Sequence, residues 1–358
     1  MIKVFVSYIL YYSGLLTIAR WLQAFLGQRI TIITFHRVGD HAVEDGLPTL
    51  YVTPESFEKT ISFLMKNYDI ISLSEYSSLK TNARPLPPNP LIITFDDGYR
   101  DCYINAFPVL QKNRIPFTMF LPANIFNGGV DFWWDRLYHS CSEMSSAQII
   151  ASLEQAADVH PEMQSLIVTA KAESSDKSEM VIHLIDKLGD FPPATRLQIV
   201  NTIAQNVHKE SAMDNQNRSV VNLPEIHEML QSGGEIGSHT KSHCFLDTVP
   251  TEEAIAEIQD SKIALERLLS TKIRHFAYPA GRWSPEIRDM VENANYSSAC
   301  VVAEDVNKIN QDLFTLKRLS ICEPLITKAN GEFCKALLAS RLVLAGFIAY
   351  VHRRWLNQ

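Results

Sequence analysis

Two adjacent carboxylates stand at the end of an apolar run in the segment LIITFDDGYRD, residues 91–101. The run 91–95 has the composition of a buried strand, and Asp96 and Asp97 follow it directly. Aspartate is unfavourable in strands, and burial of an unpaired carboxylate is costly. The pair therefore predicts that something compensates for these charges at this strand end, and a bound cation would do so.

Two histidines could hold such a cation. In the segment GSHTKSH, His239 and His243 are four residues apart, a spacing that on a helical turn places both imidazoles on one face. Two nitrogens and one carboxylate oxygen form the three-ligand set of catalytic zinc sites, which leave a position open for water or substrate. Each motif alone is a weak signal. Together they predict a metal site in which one aspartate is a ligand and the other accepts a proton from water.

Apolar runs alternate with amphipathic segments through most of the chain, and this alternation indicates how the site is positioned. The runs with strand character include RITIITF, LIITF, FTMFLP, EIGSH, IRHFAYP and SSACVV. About seven strand–helix units predict an α/β protein with a distorted (β/α) barrel. Active groups of such barrels lie at the carboxyl ends of the strands. His36, Asp96, His239 and the segment 279–281 each follow a predicted strand.

The chain of 358 residues divides into five predicted parts. The alternation stops after VDFWWDRLYHS, where several helical periods follow one another, and it resumes near LPEIHEML. We therefore predict an apolar N-terminal helix over residues 1–28, a first part of the barrel over 29–135, a helical insertion over 136–221, a second part of the barrel over 222–325, and an apolar and basic C-terminal helix over 326–358.

Both ends of the chain are unusually apolar. Val4–Ala19 is an uncharged run of 16 residues, fewer than the roughly 20 that a spanning helix needs, and the other end finishes in Arg353, Arg354 and Trp355. Tryptophan and basic residues beside apolar helices are typical of a membrane interface. We expect the protein in the cytoplasm or peripherally on the cytoplasmic membrane. The alternatives are an uncleaved N-terminal anchor, or packing of both helices on the barrel or on each other.

Composition excludes some partners. The net charge is −7 and the isoelectric point is about 5.9, so no basic footprint indicates a nucleic acid. Six cysteines are scattered without a CxxC pair, which predicts reduced thiols rather than a disulfide framework or a thiolate zinc site.

The motifs TFDDGYRD, SHTKSH and FAYPAG, in this order, resemble the first three motifs of the polysaccharide deacetylase family, carbohydrate esterase family 4 with the NodB-homology domain. The resemblance runs from TIITFHRVGD to LKRLSI and leaves the helical insertion outside the common core. It implies a distorted (β/α) barrel and the metal-dependent removal of N- or O-acetyl groups from sugars. The implied cofactor is a divalent metal, with Zn²⁺ as first choice, and the implied partner is an N-acetylated glycan.

The resemblance also implies residue roles. Asp96 would be the catalytic base, and the metal ligands would be Asp97, His239 and His243. The backbone N–H of Tyr99 would help to form an oxyanion hole, which requires a fixed donor beside the tetrahedral intermediate.

One departure from the family concerns the general acid, because the chain has no Leu-x-His motif near its C-terminal end. The poly-N-acetylglucosamine deacetylases within the family resemble this chain more closely, since they carry a histidine at the first strand end, as in ITFHRVG. By that resemblance His36 protonates the leaving amine, a role that suits a side chain able to titrate near neutral pH. The alternative is a structural histidine at a strand end.

The substrate groove is less well defined by the sequence. Tyr278, Pro279 and Gly281 of the third motif would shape its wall. Arg318, in LKRLSI, would line it in place of the usual arginine of that motif. Trp133, in FWWD, would offer an aromatic face to a sugar ring, or it would attach the insertion to the core.

We therefore expect a hydrolase that removes N-acetyl groups from an amino-sugar polysaccharide or oligosaccharide in bacterial surface polysaccharide metabolism. Three alternatives remain open at this point. The substrate could be a lipid-linked sugar that is deacetylated or deformylated at the membrane. The chain could be a catalytically inactive carbohydrate-binding relative, or a membrane-docked assembly component of a polysaccharide pathway.

Overall fold

A closed barrel of parallel strands forms the centre of the protein, for which the computed structural model describes residues 2–26, 29–40, 46–126, 132–207, 219–303 and 305–356. The strands are β1 (Arg29–Phe35), β2 (Arg37–Val38), β3 (Tyr51–Val52), β4 (Asp69–Ile70), β5 (Pro90–Phe95), β6 (Thr118–Leu121), β7 (Glu235–Ser238), β8 (His275–Ala277), β9 (Ser298–Val302), β10 (Asn307–Lys308) and β11 (Leu316–Ser320).

Seven of these strands close the barrel in the order β1-β11-β9-β8-β7-β6-β5, and β5 pairs with β1 to complete it. All seven pairings are parallel. The short strands β4 and β10 extend the sheet beside β5 and β1, and β2 pairs with β3 separately. The predicted distorted barrel of about seven strands is therefore confirmed.

The strand register gathers the polar ends of the strands on one rim. Phe35 is opposite Phe95 and Thr34 is opposite Ser320, so the residues after β1, β5 and β11 lie side by side. Leu121 is opposite Ser238 in the β6–β7 pair, which places His239 on the same rim.

Helices surround the barrel and continue beyond it. They are α1 (Ile2–Tyr12), α2 (Leu15–Leu26), α3 (Pro54–Asn67), α4 (Leu73–Thr81), α5 (Phe107–Lys112), α6 (Trp133–Ser142), α7 (Ser146–Ala157), α8 (Gln164–Ala172), α9 (Lys177–Leu188), α10 (Pro193–Gln205), α11 (Leu223–Gln231), α12 (Thr251–Leu269), α13 (Pro285–Asn293), α14 (Glu323–Ile326) and α15 (Lys335–Leu356). Local sequence explains their starts: Thr53, for example, accepts a hydrogen bond from the Ser56 N–H and precedes a proline in the first turn of α3.

Helices α6 to α10 follow one another between β6 and β7, where the sequence loses its alternation. They enclose an apolar cluster of their own, in which Leu137, Ile149, Leu184 and Ile199 are buried together. Residues 127–131 and 208–218, near the two predicted ends of the insertion, lie outside the described residues.

The terminal helices pack on each other and on the barrel. Helix α1 contacts α2 and α15, and α15 also contacts α3. Tyr8 and Tyr11 pack against Cys334 and Leu337, while Leu342 belongs to the main core. The described ranges contain no helix long and apolar enough to cross a membrane. The side chains of Arg353, Arg354 and Trp355 lie outside the described residues.

Candidate active site

The rim of the barrel brings together the three residues that the sequence proposes as metal ligands. One donor atom from each of Asp97, His239 and His243 lies within 4.8 Å of the others. Asp97 Oδ1 is 3.2 Å from His243 Nε2 and 3.6 Å from His239 Nε2. All three side chains are buried. The arrangement is compact enough for one ion to contact all three.

The donor atoms are also free to bind an ion. Among the described residues, Asp97 Oδ1 is buried and has no hydrogen-bond partner of good geometry, and the ring nitrogen of His243 that faces it is Nε2. His239 Nδ1 is 2.7 Å from the Ala277 carbonyl oxygen, which can only accept, so Nδ1 carries the hydrogen and the Nε2 lone pair points toward Asp97. A buried, unpartnered carboxylate oxygen between two imidazoles is costly without a cation. The three residues therefore fit a divalent metal ion.

Tight turns orient the side chains of Asp97, His239 and His243. The helical turn and the extended chain expected from the sequence are not found at these positions. The segment 239–243 is no helical turn, because Thr240 and His243 have φ values of 66° and 59°. Asp97 is likewise left-handed, at φ 70°, so the two aspartates are separated by a turn rather than by the alternation of an extended chain. Left-handed conformations are unfavourable for non-glycine residues and persist where the surrounding structure enforces them.

Burial and neighbouring charges set the protonation states of the ligands. Burial alone would raise the pKa of Asp97, but the adjacent His243, with smaller contributions from other histidines, holds this pKa below its usual value. Burial lowers the pKa of His239 to about 4. At neutral pH the carboxylate is therefore charged and this imidazole is neutral, the forms that bind a metal.

The second aspartate has a different partner. Arg318 donates two hydrogen bonds to Asp96, from Nη1 to Oδ1 at 2.6 Å and from Nη2 to Oδ2 at 2.7 Å. Arg318 Nη1 also contacts the hydroxyl oxygens of Thr34 and Thr94. Burial opposes ionisation of Asp96, but the guanidinium outweighs it and lowers the pKa to about 2. Asp96 is therefore ionised across the physiological range.

The prediction that Arg318 lines the substrate groove is wrong. Its side chain is completely buried, and the carboxylate of Asp96 covers the end of its guanidinium. Sequence reasoning missed this ion pair. The available signal was a charged residue at a buried position in the apolar strand LKRLS, since a buried arginine requires an anion.

His36 stands on the other side of Asp96. Its Nε2 is 3.8 Å from Asp96 Oδ2, and its side chain is 21% exposed, whereas Asp96 is only 2% exposed. The imidazole is thus the part of this cluster that reaches solvent. That position allows it to exchange a proton with a substrate atom held above Asp96.

Tyr99 is fixed at both its ring and its backbone. Its hydroxyl donates to Asp135 Oδ2 at 2.7 Å and accepts from Trp134 Nε1 at 3.1 Å, and the Arg37 guanidinium lies 4.4 Å from the ring centre. On either side of it, Arg100 N–H and Gly98 C=O bond to residues 219 and 221. Within the described residues, the Tyr99 N–H itself donates to no backbone carbonyl. This amide is a rigid donor beside Asp97.

The aromatic wall beside the candidate metal ligands is formed by neighbours of Trp133. The rings of Trp134 and Phe132 lie 4.5 Å and 5.9 Å from the His243 ring. Trp133 instead packs under the guanidinium of Arg196, at 4.8 Å, and against Phe245. Of the two roles expected for Trp133, its contacts match attachment of the insertion to the core. The FWWD pattern predicts an aromatic cluster, but it does not predict which ring packs against His243.

The third motif, FAYPAG, is largely buried and supports the site indirectly. Tyr278 is completely buried and donates its hydroxyl hydrogen to the Phe314 carbonyl at 3.0 Å, so the prediction that it contacts substrate is wrong. Pro279 is also buried. Gly281 has φ +70°, and a Cβ there would lie 2.7 Å from the Val302 nitrogen. These residues form the tight turn after β8, the strand whose Ala277 carbonyl orients His239.

A family model for polysaccharide deacetylases matches residues 83–159 and 190–299. The chain belongs to the polysaccharide deacetylase family. The unmatched stretch between these two ranges lies within the helical part of the chain, and the matched ranges carry Asp96, Asp97, His239 and His243. The family and the class of carbohydrate N-deacetylase predicted from the sequence are therefore confirmed.

Named relatives agree with this membership. YxkH of Bacillus subtilis, a protein assigned to the polysaccharide deacetylases, is 18% identical over 318 residues, which cover 88% of this chain and 80% of that protein. The poly-β-1,6-N-acetyl-D-glucosamine N-deacetylase of Escherichia coli K12 is 26% identical over 128 residues, 36% of this deacetylase and 18% of that protein.

A solved structure shares the fold of this deacetylase. The deacetylase PplD of Streptococcus pyogenes, in complex with acetate, superposes with a TM-score of 0.54 at 17% sequence identity. The superposition covers 84% of this chain and 95% of that one. At this identity the likeness establishes a common fold.

The turn at Gly98, directly after the two aspartates, gives a first testable prediction. Gly98 has φ +74°, and a Cβ there would lie 2.4 Å from Leu121 Cδ2 and 2.9 Å from Ile125 Cδ1. We expect Gly98→Ala to lower the free energy of unfolding by about 1–3 kcal/mol and to reduce deacetylation, because the turn also positions Asp97 and the Tyr99 amide. Urea unfolding and an acetate-release assay measure the two effects.

Gly233→Ala is the matched control for backbone strain. Gly233 is also left-handed, at φ +90°, but no atom lies within 4 Å of a Cβ at that position. This variant should lose stability through φ strain alone and keep its activity. Equal losses of stability and activity in both variants would contradict the argument from the Gly98 contacts.

Proposed function

We propose that this protein uses a divalent metal ion, with Zn²⁺ as first choice, to remove N-acetyl groups from an amino-sugar polysaccharide or oligosaccharide of the bacterial surface. The observation that carries the proposal is the buried, unpartnered Asp97 Oδ1 between two imidazoles, next to an ionised Asp96. The relative named for poly-β-1,6-N-acetyl-D-glucosamine supports an amino-sugar polymer as substrate. The acetate in the PplD complex supports acetyl transfer to water.

Asp97, His239 and His243 would hold the ion. When bound, a divalent ion supplies Lewis acidity: it lowers the pKa of water and polarises a carbonyl oxygen. A water of lowered pKa is what the protein side chains require. With its pKa lowered to about 2, Asp96 is ionised at physiological pH but is a weak base, so it can accept a proton only from a strongly acidified water.

Asp96, Tyr99 and His36 would each carry out one part of amide hydrolysis. Asp96 accepts the proton of the attacking water. The Tyr99 N–H, which has no backbone acceptor among the described residues, donates to the oxygen that becomes negative as the carbonyl turns tetrahedral. His36 donates a proton to the amine nitrogen as the carbon–nitrogen bond breaks. The water oxygen becomes part of acetate, and the amine nitrogen gains the proton that His36 gives up, which leaves a free amino sugar. Transfer of the proton on Asp96 to the neighbouring His36 restores both residues and completes the balance.

Removing the metal ligands tests the proposal through binding as well as through activity. We expect Zn²⁺ to raise the midpoint of thermal unfolding, because an ion that binds only the folded state stabilises it by about 4 kcal/mol at a thousandfold excess over Kd. In His239→Ala this rise and the heat of Zn²⁺ binding should both disappear. Calorimetry with and without chelator measures both quantities.

His227→Ala is the matched control, since His227 is exposed on α11. It should bind Zn²⁺ like the unmodified protein. Acetate release from N-acetylated glycans and lipid-linked sugars, with and without chelator, then identifies the substrate class. Full activity in His239→Ala, or undiminished activity after chelation, would overturn the metal-dependent mechanism.

A further inference from the structure

The outer face of the terminal helix pair is apolar. Along α1 and α2, apolar side chains recur at helical spacing on the side that faces solvent. These side chains are between 41 and 72% exposed, and they are Phe5, Ile9, Tyr12, Leu15, Ile18 and Leu22. We call this surface the hairpin face. A surface helix normally turns polar residues outward, so the hairpin face is the reverse of the usual pattern.

Packing of the helices on the protein does not use the hairpin face. The opposite side of the pair supplies the contacts: Tyr8 and Tyr11 pack against the start of α15, and Leu16 is buried in the main core. The fold therefore gains nothing from the apolar residues on the outside. Contiguous exposed apolar surface of this kind marks an interaction site.

The charges of the terminal helices indicate the partner. The whole chain has a net charge of −7, yet no acidic residue precedes Asp40 and none follows Glu332. The charged residues of the three terminal helices are all basic, and they are Lys3, Arg20, Lys335, Arg341, Arg353 and Arg354. Two of them contact the body of the protein, since Arg20 donates to Asn67 Oδ1 and Arg341 donates to the Ser320 carbonyl oxygen. Acidic surface is thus confined to the rest of the chain. We propose that the hairpin face docks on an anionic lipid bilayer, with α1 and α2 lying in the plane of the membrane interface.

A bilayer fits this surface better than a second copy of the chain. In a symmetric pair, each copy would place the same basic helices against those of its partner, and like charges would repel. Anionic lipid headgroups attract them instead, while apolar side chains enter the acyl boundary. The hairpin face also carries Tyr12, and Trp21 beside it is 63% exposed. Rings with an apolar body and a polar tip are favoured at this depth.

Vesicle co-sedimentation of the full-length protein tests the proposal. Vesicles of phosphatidylcholine mixed with phosphatidylglycerol should bind it, and binding should weaken with added salt and with phosphatidylcholine alone. Ile9→Glu with Ile18→Glu should reduce the partition coefficient by at least about a hundredfold, because loss of each buried apolar side chain alone is worth about tenfold. Acetate release from a soluble glycan should stay unchanged in this variant.

The matched control is Ile263→Glu with Val168→Glu. Both residues are exposed apolar side chains, 64% and 63%, on helices α12 and α8, away from the terminal helices. This variant should bind vesicles like the unmodified protein. Circular dichroism melts check that both variants fold.

Three results would overturn the proposal. One is failure to bind anionic vesicles, and another is equal binding to neutral ones. The third is a concentration-dependent dimer in sedimentation velocity that Ile9→Glu with Ile18→Glu abolishes, which would assign the hairpin face to a second copy. Each result is independent of deacetylation, so the metal-dependent function stands or fails separately.

Discussion

The rate of acetate release falls by about two to four orders of magnitude when Asp96 is replaced by asparagine, if this residue is the general base. An amide oxygen cannot accept the proton of the attacking water. The variant should still bind Zn²⁺, because Asp97 and the two histidines are unchanged. Steady-state acetate release and calorimetric Zn²⁺ binding, measured on the same preparation, separate the loss of the base from the loss of the metal site.

Asp186→Asn is the matched control for this substitution. Asp186 lies on α9 with its side chain 70% exposed, and it should tolerate the change without effect on the rate. A circular dichroism spectrum of Asp96→Asn checks that the barrel has formed. Activity within a few-fold of the unmodified protein would exclude Asp96 as the base.

Replacement of Arg318 by methionine should lower the free energy of unfolding by about 3–5 kcal/mol. Among the described side chains, only the Arg318 guanidinium donates hydrogen bonds to the Asp96 carboxylate. Both groups are almost completely buried. Methionine fills much of the space but leaves a buried negative charge without its partner. Urea unfolding at neutral pH, in the presence of chelator, measures the loss.

Two further variants show that the ion pair causes this loss. Arg318→Met combined with Asp96→Asn should regain much of the stability, because no buried charge is then left unpaired. Arg267→Met removes an exposed arginine near the end of α12 and should change stability by no more than about 0.5 kcal/mol. A double variant as unstable as Arg318→Met would refute the electrostatic explanation.

The pH dependence of stability gives an independent check on the same pair. The folded-state pKa of Asp96, about 2, lies below its ordinary value of 3.8. A lowered carboxyl pKa stabilises the fold above the ordinary value, and this contribution is lost as the pH falls toward the folded-state pKa. The unmodified protein should therefore lose roughly 2 kcal/mol from this group between about pH 4 and pH 2, whereas Arg318→Met should not.

The sequence was sufficient to predict the barrel and the grouping of the three candidate metal ligands. Strand–helix alternation predicts parallel strands whose carboxyl ends share a rim, and residues that follow different strands then meet there. That reasoning brings Asp97 together with His239 and His243, although Asp97 lies more than a hundred residues from the two histidines along the chain. The local geometry was less predictable, because the left-handed turns at Asp97 and His243 depend on the packing around them.

Other features of the site depend on tertiary contacts that cannot be predicted from a local sequence pattern. Arg318 reaches Asp96 only because β11 lies beside β1 in the closed barrel, a tertiary neighbour that alternation alone does not specify. The two adjacent aspartates therefore differ in what offsets their charge: Asp96 has the guanidinium of Arg318, and Asp97 lies in the proposed metal site. The choice between Trp133 and Trp134 depends on how the insertion approaches the rim.

Closure of the barrel also determines when Asp96, the proposed base, acquires its guanidinium partner. Asp96 and Arg318 are separated by 222 residues, and β1 and β5, made early, must wait for β11 to complete the ring. At ordinary rates of synthesis, the ribosome needs on the order of ten to forty seconds to make the intervening chain. During this interval the nascent chain exposes an unclosed strand edge and an aspartate without its guanidinium. Asp96 is therefore paired with Arg318 only in a finished barrel, so a chain truncated before β11 lacks both barrel closure and this ion pair.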